Sequence, residues 1–197
     1  MFRTILITGM LLAFAGVASA DSVQWDFDAT HSTVGFSVRH LGISKVRGKF
    51  TDVKAHIKAD SQKGKIDWLK ATVGVASIDT GNEKRDKHLQ DTDFFDAKKY
   101  PKMELTTKKI NWSGDNISGV AALTIKGKTR DVKFKGEYLG AQKVNFGGGD
   151  QMRAGYSITA KINRADFGLS FSSLAEGVAM VGDEVTIELE IEIARAI

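Results

Sequence analysis

An all-β chain closed into an antiparallel barrel of eight strands, up to ten, is what this sequence predicts, and three observations lead there. The first is strict alternation of apolar and polar residues, plainest from Val185 to Ile193, which reads Val-Thr-Ile-Glu-Leu-Glu-Ile-Glu-Ile. Successive side chains of a strand point to opposite faces, so Val185, Ile187, Leu189, Ile191 and Ile193 share one face and the glutamates the other. The second is that this two-residue period recurs in many segments joined by turn residues, such as Ser113-Gly114-Asp115-Asn116. Closing such a sheet on itself buries the apolar faces and removes raw edges. The third is glycine inside strands, at Gly35, Gly48, Gly74, Gly119, Gly136 and Gly155. These permit the coiling a barrel needs, a reading preferred here to close approach of a ligand to the backbone.

Taken in order, residues 1–20 stand apart from the barrel. Arg3 supplies a positive start, Ile5 to Val17 a short apolar run, and Ala18-Ser19-Ala20 the small-x-small pattern cut before Asp21. The expectation is a signal peptide over 1–20 and a periplasmic domain over 21–197. A membrane anchor fits less well, because a spanning helix needs about 20 apolar residues and this run is shorter.

The mature chain opens with Val23 to Phe27, followed by Val34, Phe36 and Val38 on one face of a second strand. Val46, Gly48 and Phe50 come next, then Val53, Ala55, Ile57 and Ala59, then Leu69, Ala71, Val73 and Val75. Further strands are expected at Met103 to Thr107, Ile117 to Ile125, Val132 to Tyr138, Ala154 to Ile162, and at the C-terminus. The one clear break in the pattern runs from Asp79 to Pro101. There Asn82 or Thr80 is placed to cap a short helix over Glu83 to Gln90, and Pro101 ends a second short turn. The spacing therefore predicts a short helical insertion near 83–99 that carries Phe94 and Phe95 across one end of the barrel. Covering elements of this kind often hold binding residues on β scaffolds.

Composition narrows the function. No linker divides residues 21–197, and one domain of this size is ordinary. The chain contains no cysteine, which leaves no disulfide framework and no thiol chemistry. The net charge is +4, from 28 Lys and Arg against 24 Asp and Glu, and becomes +3 without Arg3. Such a small, dispersed excess does not point to nucleic acid, which requires clustered Lys and Arg. Removal of the signal would leave no integral membrane segment.

A series of short motifs carries a more specific message. They are Asp28 with His31-Ser32, Phe36-x-Val38-x-His40 with Gly42, Val46-x-Gly48-x-Phe50, Asp79-Thr80, and Arg85-Asp86-x-His88-Leu89. Asp93-Phe94-Phe95, Tyr100-Pro101, Leu123-Thr124-Ile125-x-Gly127-x-Thr129, Asn163-Arg164-x-Asp166-Phe167-Gly168 and Val181-Gly182-Asp183-x-Val185 follow. In this order and at these separations the chain resembles the YceI-like, or polyisoprenoid-binding, family over essentially its whole mature length. The resemblance implies an exported lipocalin-like barrel holding a long isoprenoid, a quinone, a fatty amide or a similar amphiphile in its lumen. One departure is Leu105, where the family usually has Phe, which would widen the lumen locally.

The physics is compatible with that implication. A ten-residue strand spans roughly 33 Å, so an extended tail fits along a barrel axis, and each buried methylene contributes about 0.8 kcal/mol. Candidate wall residues are Phe36, Val38, Phe50, Leu69, Val73, Val75, Leu105, Leu123, Phe134, Tyr156, Ile158 and Phe171. The competing reading is that they fill a solid core. A polar mouth is expected from His31, Arg85, Asp86 and His88, whose charge-assisted hydrogen bonds suit a lipid head group. Arg164 with Asp166, and Arg85 with Asp86, also fit ion pairs that fasten loops, which is the preferred reading for both pairs.

Catalytic readings are weaker. His31, His40, His56 and His88 lack the short spacings of a metal site, so neither metal nor cofactor is expected. Gly127-Lys128-Thr129 resembles the end of a phosphate loop, but the first glycine of that motif would fall at Ala122 and the segment lies between strands. Ser32 beside His31 is poorly placed for nucleophilic catalysis, because neighbours on a strand face opposite ways. Two functions are carried forward: a periplasmic lipid carrier or sequestering protein without catalytic residues, and an enzyme on lipid-like substrates using His31 or His88 with Asp86 as an acid–base pair. A homodimer is neither required nor excluded.

Overall fold

The computed structural model describes residues 21–175 and 177–197; the export signal expected over 1–20 lies outside the described residues. Thirteen strands run in chain order: β1 (Ser22–Phe27), β2 (Thr33–His40), β3 (Ser44–Phe50), β4 (Val53–Asp60), β5 (Ile66–Gly74), β6 (Ile78–Asp79), β7 (Lys102–Ser113), β8 (Asn116–Ile125), β9 (Lys128–Asn145), β10 (Asp150–Asn163), β11 (Leu174–Ala175), β12 (Val178–Ala179) and β13 (Val181–Ala196). Among the described residues one α-helix, α1 (Glu83–Leu89), interrupts them. Eight strands close a ring in the order β1-β4-β5-β7-β8-β9-β10-β13, and β13 returns to β1 through Asp26↔Ala194 and Phe27↔Ile193. All these pairings are antiparallel, as the alternating sequence predicts.

β13 is forked. Its C-terminal part pairs with β1, while Val181 to Glu190, on the same edge, pair with β2, from which β3 and the short β6 extend. Its other edge pairs with β10 without a break from Glu184 to Ala196. The base of the barrel is therefore closed by β1 and β4, and the upper wall by the β2–β3 hairpin. Thr51 N–H to Ser77 O (3.3 Å) and Gly74 N–H to Asp52 O (2.8 Å) stitch the seam between these parts.

Two apolar clusters fill the ends. At the base, Trp25, Ile57, Ile66, Tyr138, Tyr156 and Ile193 form a solid plug. Tyr138 donates to the carbonyl of Lys63 (2.6 Å) and Tyr156 to that of Gly64, so both ring hydroxyls are paired. Towards the other end Phe50, Met103, Leu123, Ile125, Phe167 and Leu169 form a looser ring beneath α1. The chain leaves β5 at Gly74, where a β-carbon would press on Asp52, and Val75 begins a 3-10 turn over Val75–Ser77. The strand expected through Val75 thus ends one residue early. Of the two caps considered for α1, Asn82 is the one used, accepting from the Arg85 N–H at 3.0 Å. Among the described residues no helix is long and apolar enough to cross a membrane.

Burial pushes the Tyr156 phenol far above its ordinary value of 10.0, with Tyr138, Asp60 and Asp67 reinforcing the rise. Burial, then Asp115 and Asp60, raises Tyr138 as well. A group whose folded pKa is raised contributes stability that is complete below its unfolded value and lost above it. Urea unfolding from about pH 8 to about pH 11 should therefore show stability falling above pH ~10, and Tyr156→Phe should flatten that fall. An unchanged alkaline slope in this variant would contradict the assignment.

Candidate functional site

Between the two clusters the barrel is hollow. A cavity of about 220 Å³ is walled by alternate residues of β2, β4, β5, β7 and β13, and almost every atom facing it is apolar. Val185, Ile187, Leu189 and Ile191, the face read from the β13 alternation, all line it, whereas Ile193 belongs to the basal plug. The cavity is blind: Phe27, Leu69 and Ile191 mark its lower limit, and Trp25 and Tyr156 seal what lies below. A tail lying along the full axis, as the strand length suggested, has no room there.

A second cavity, about 240 Å³, adjoins the first at the upper end. Phe36, Val38, Leu89, Phe94 and Val181 face both spaces. Its remaining wall is mixed, with Arg39, His40, Arg85 and His88 beside Val46, Phe171 and Met180. Either space alone is smaller than ordinary ligand sites of about 300–1,000 Å³, and joined they reach that range. The shared Phe36 and Phe94 rings stand between them.

Of the twelve expected wall residues, Phe36, Val38, Phe50, Leu69, Val73, Leu105 and Leu123 line the inner cavity. The other five lie elsewhere, for identifiable reasons. Val75 is buried in the upper cluster after the chain has left β5. Phe134 lies across its partner Gly119, where a β-carbon would come within 2.6 Å of the ring, and Ile158 lies likewise across Gly136 at 2.7 Å. Tyr156 is part of the plug. Phe171 belongs to the outer cavity, stacked on Phe94 with centroids 4.8 Å apart.

The polar residues separate into two groups. His31 is not at the mouth: it lies in the turn before β2, and from Thr33 to His40 that strand runs roughly 23 Å. There β1 leaves the edge of β13 and β2 takes its place, and the motif Asp28…His31-Ser32 pins the fork. Asp28 N–H donates to the Glu192 carbonyl (3.0 Å), and Ser32 Oγ accepts from Glu192 N–H (2.9 Å). The Asp28 carboxylate takes His31 Nδ1 at 2.9 Å, and Arg153 bridges Asp28 to Glu192. Asp28, His31 and Glu192 place three ligand-type atoms within 4.8 Å of one another, but the Arg153 guanidinium already supplies the positive charge at both carboxylates.

Arg85 and Asp86 do not pair with each other; both hold Thr80. Asp86 Oδ1 accepts from the Thr80 N–H (3.0 Å) and hydroxyl (2.5 Å), and Arg85 donates to Thr80 Oγ1 (2.7 Å) and O (2.8 Å). Asp86 is thereby a fastening of α1, whereas Arg85 faces the outer cavity with N–H groups to spare. His88 hydrogen-bonds Asp93 (3.1 Å) and stands edge-on to Phe94 and Phe171. Neither histidine considered for acid–base work is partnered by Asp86.

A family model for the YceI-like domain matches residues 25–193. The chain belongs to the YceI-like family. It is 33% identical over 162 residues to a UPF0312 protein of Photorhabdus laumondii, covering 82% of this chain and 83% of that one. It is 36% identical over 172 residues to a UPF0312 protein of Staphylococcus epidermidis, covering 86% and 96%. Among solved structures, the Campylobacter jejuni YCEI protein superposes with a TM-score of 0.69 at 29% identity, covering 97% of this chain and 100% of that one. A polyisoprenoid-binding domain from Saccharophagus degradans shares the fold at a TM-score of 0.57 and 13% identity, covering 86% and 97%.

In this YceI-like barrel the residue that organises the mouth is Arg164, whose expected partner was Asp166. The 3-10 turn Arg164–Phe167, capped by Asn163, instead sends Arg164 inward and leaves Asp166 exposed. Nε donates to Gly182 O, Nη1 to Leu169 O and Phe171 O, and Nη2 to Val181 O, at 2.8 to 3.3 Å, and Nη2 forms an ion pair with Asp183 Oδ1 at 3.0 Å. Four N–H groups are thus spent on main-chain carbonyls, tying the segment Leu169–Phe171 to the start of β13 at the opening. Arg39 and His40 were missed as mouth residues, although the period-two pattern Phe36-x-Val38-x-His40 carries His40 onto the cavity face. Arg164→Met should leave several buried carbonyls without donors and cost about 3–5 kcal/mol in urea denaturation. A loss below about 1 kcal/mol would show that the guanidinium is not the tie between these loops.

Proposed function

We propose that this protein binds a long-chain amphiphilic lipid, an isoprenoid or a molecule of similar shape such as a quinone or fatty amide, as a non-catalytic periplasmic carrier or sequestering protein. The observation that carries the reading is the blind, almost wholly apolar inner cavity, which adjoins an outer cavity whose wall adds Arg39, His40, Arg85 and His88. Such a space has nothing to offer a sugar, a nucleotide or a charged peptide. An alkyl or prenyl tail gains about 0.8 kcal/mol for each methylene it buries there, against a modest ordering cost. The outer cavity suits the other end of an amphiphile: Arg39, His40 and Arg85 can hold an anionic or carbonyl head group by charge-assisted hydrogen bonds, with His88 beside them. The Saccharophagus degradans domain of the same fold is described as polyisoprenoid-binding, which agrees with this chemistry. Export through residues 1–20 would bring the barrel to where such lipids are handled outside the cytoplasm.

Organic extraction of the purified full-length product, followed by mass spectrometry, should recover an intact long-chain lipid in near-stoichiometric amount. Val73→Arg places a guanidinium in the inner cavity and should abolish retention. Leu105→Phe, which only narrows the space, should fold normally and shift the recovered lipids towards shorter or slimmer tails. A folded Val73→Arg protein that still carries the parental lipid would overturn the assignment of the inner cavity.

A further inference from the structure

The open end of the barrel has an outer surface that the lumen does not explain. The β2–β3 turn projects Ile43 with 85% of its surface exposed, and the β11–β12 hairpin beside it exposes Leu174 (65%) and Val178 (48%). The two tips are joined by Leu41 N–H to Met180 O (3.2 Å) and Met180 N–H to Ser173 O (3.0 Å). Leu41 adopts φ 51° and Gly42 φ 70°, the two-residue turn that favours Asn, Asp or Gly in its first central place. Backbone preference does not account for a leucine there. Behind the apolar tips lies a band of cations. From Ala29 to Thr51 the sequence contains no Asp or Glu, while Arg39, Lys45 and Arg47 are exposed on the hairpin. Helix α1, across the outer cavity, adds exposed Lys84 and Lys87 against Glu83. Acids are fewer on this side: the β11–β12 segment carries Glu176 in its sequence, Asp91 and Asp166 are exposed, and Asp183 and Glu184 are paired with Arg164 and Lys161.

Apolar tips ahead of a cationic collar are complementary to a bilayer with anionic head groups: the tips enter the interface and the collar meets the surface charge. The geometry points to this rim as a docking surface for an anionic lipid bilayer, held so that the outer cavity, bounded by His40, Met180 and Val181, faces the membrane. A second copy of the chain is a poorer occupant, because self-pairing through this patch would set Arg39, Lys45 and Arg47 against their own equivalents. Docking rests on the lipid-binding reading for its purpose but on separate residues for its mechanism.

Flotation of the full mature chain with vesicles of phosphatidylcholine alone, or mixed with phosphatidylglycerol, tests it. Binding should require phosphatidylglycerol and weaken with salt. Ile43→Asp should weaken it about ten-fold, and Lys45→Glu with Arg47→Glu by at least as much. Phe146→Asp alters an equally prominent side chain (76% exposed) at the opposite end and should change nothing. Val73→Arg, emptied of lumen lipid, should still float. Absence of phosphatidylglycerol-dependent binding, indifference to Ile43→Asp, loss with Phe146→Asp, or self-association that Ile43→Asp abolishes would each overturn the proposal. If extraction still recovers lipid in those cases, the lumen reading survives; vesicle binding without recoverable lipid removes the lumen reading alone.

Discussion

One edge of β13 serves two partners, and the shape of the molecule follows from that constraint. A strand edge offers a single row of donors and acceptors, so β1 and β2 cannot pair with the same stretch of it. β1 takes Ile193 and Ala194; β2 takes the stretch from Val181 to Glu190. Below the fork β1 and β4 draw the ring tight and large aromatic residues fill it. Above the fork the wall passes to the β2–β3 hairpin, the ring splays, and the filling side chains no longer meet across the axis. The hollow is therefore the upper portion of a barrel whose lower portion is core.

The fork also explains why so many polar residues are gathered far from any opening. Asp28, Ser32, Arg153 and Glu192 satisfy the backbone and side-chain groups left over where one strand departs and another arrives. At the opposite end Arg164 does the corresponding work for two loops. These charged residues spend their hydrogen-bonding capacity on the chain itself. What is left for a ligand is smaller than the number of charged motifs suggests: the part of Arg85 not bound to Thr80, with Arg39, His40 and His88.

The two cavities meet at a partition of mobile-type side chains rather than backbone. Phe36 and Phe94 hold their places by packing alone, whereas the basal plug is tied by the Tyr138 and Tyr156 hydroxyls to the β4–β5 turn. Resistance to opening is thus concentrated at one end. On the proposed function a guest would enter at the α1 end, where Asn82, Thr80 and Asp86 hold a short helix in place over the mouth.

By itself the sequence determined the class of fold, the facing of most strands and the existence of the helical insertion, because alternation and capping are properties of neighbouring residues. The β13 face from Val185 to Ile191 was legible for that reason, as were Phe36, Val38 and Val73. Tertiary structure alone decided which end is hollow. Tyr156 and Ile158 alternate as correctly as Leu105 and Leu123, yet Tyr156 reaches across the tight ring to the Gly64 carbonyl as part of the plug, and Ile158 lies over its neighbour Gly136 and packs on that plug. It also decided the assignment of charge: His31 and His88 look equivalent in the chain and are separated by nearly the length of β2, and Arg164 pairs with Asp183 and not Asp166 because a 3-10 turn aims side chains two residues apart in different directions. Periodicity specifies which way a side chain points; only the closed ring specifies what it meets.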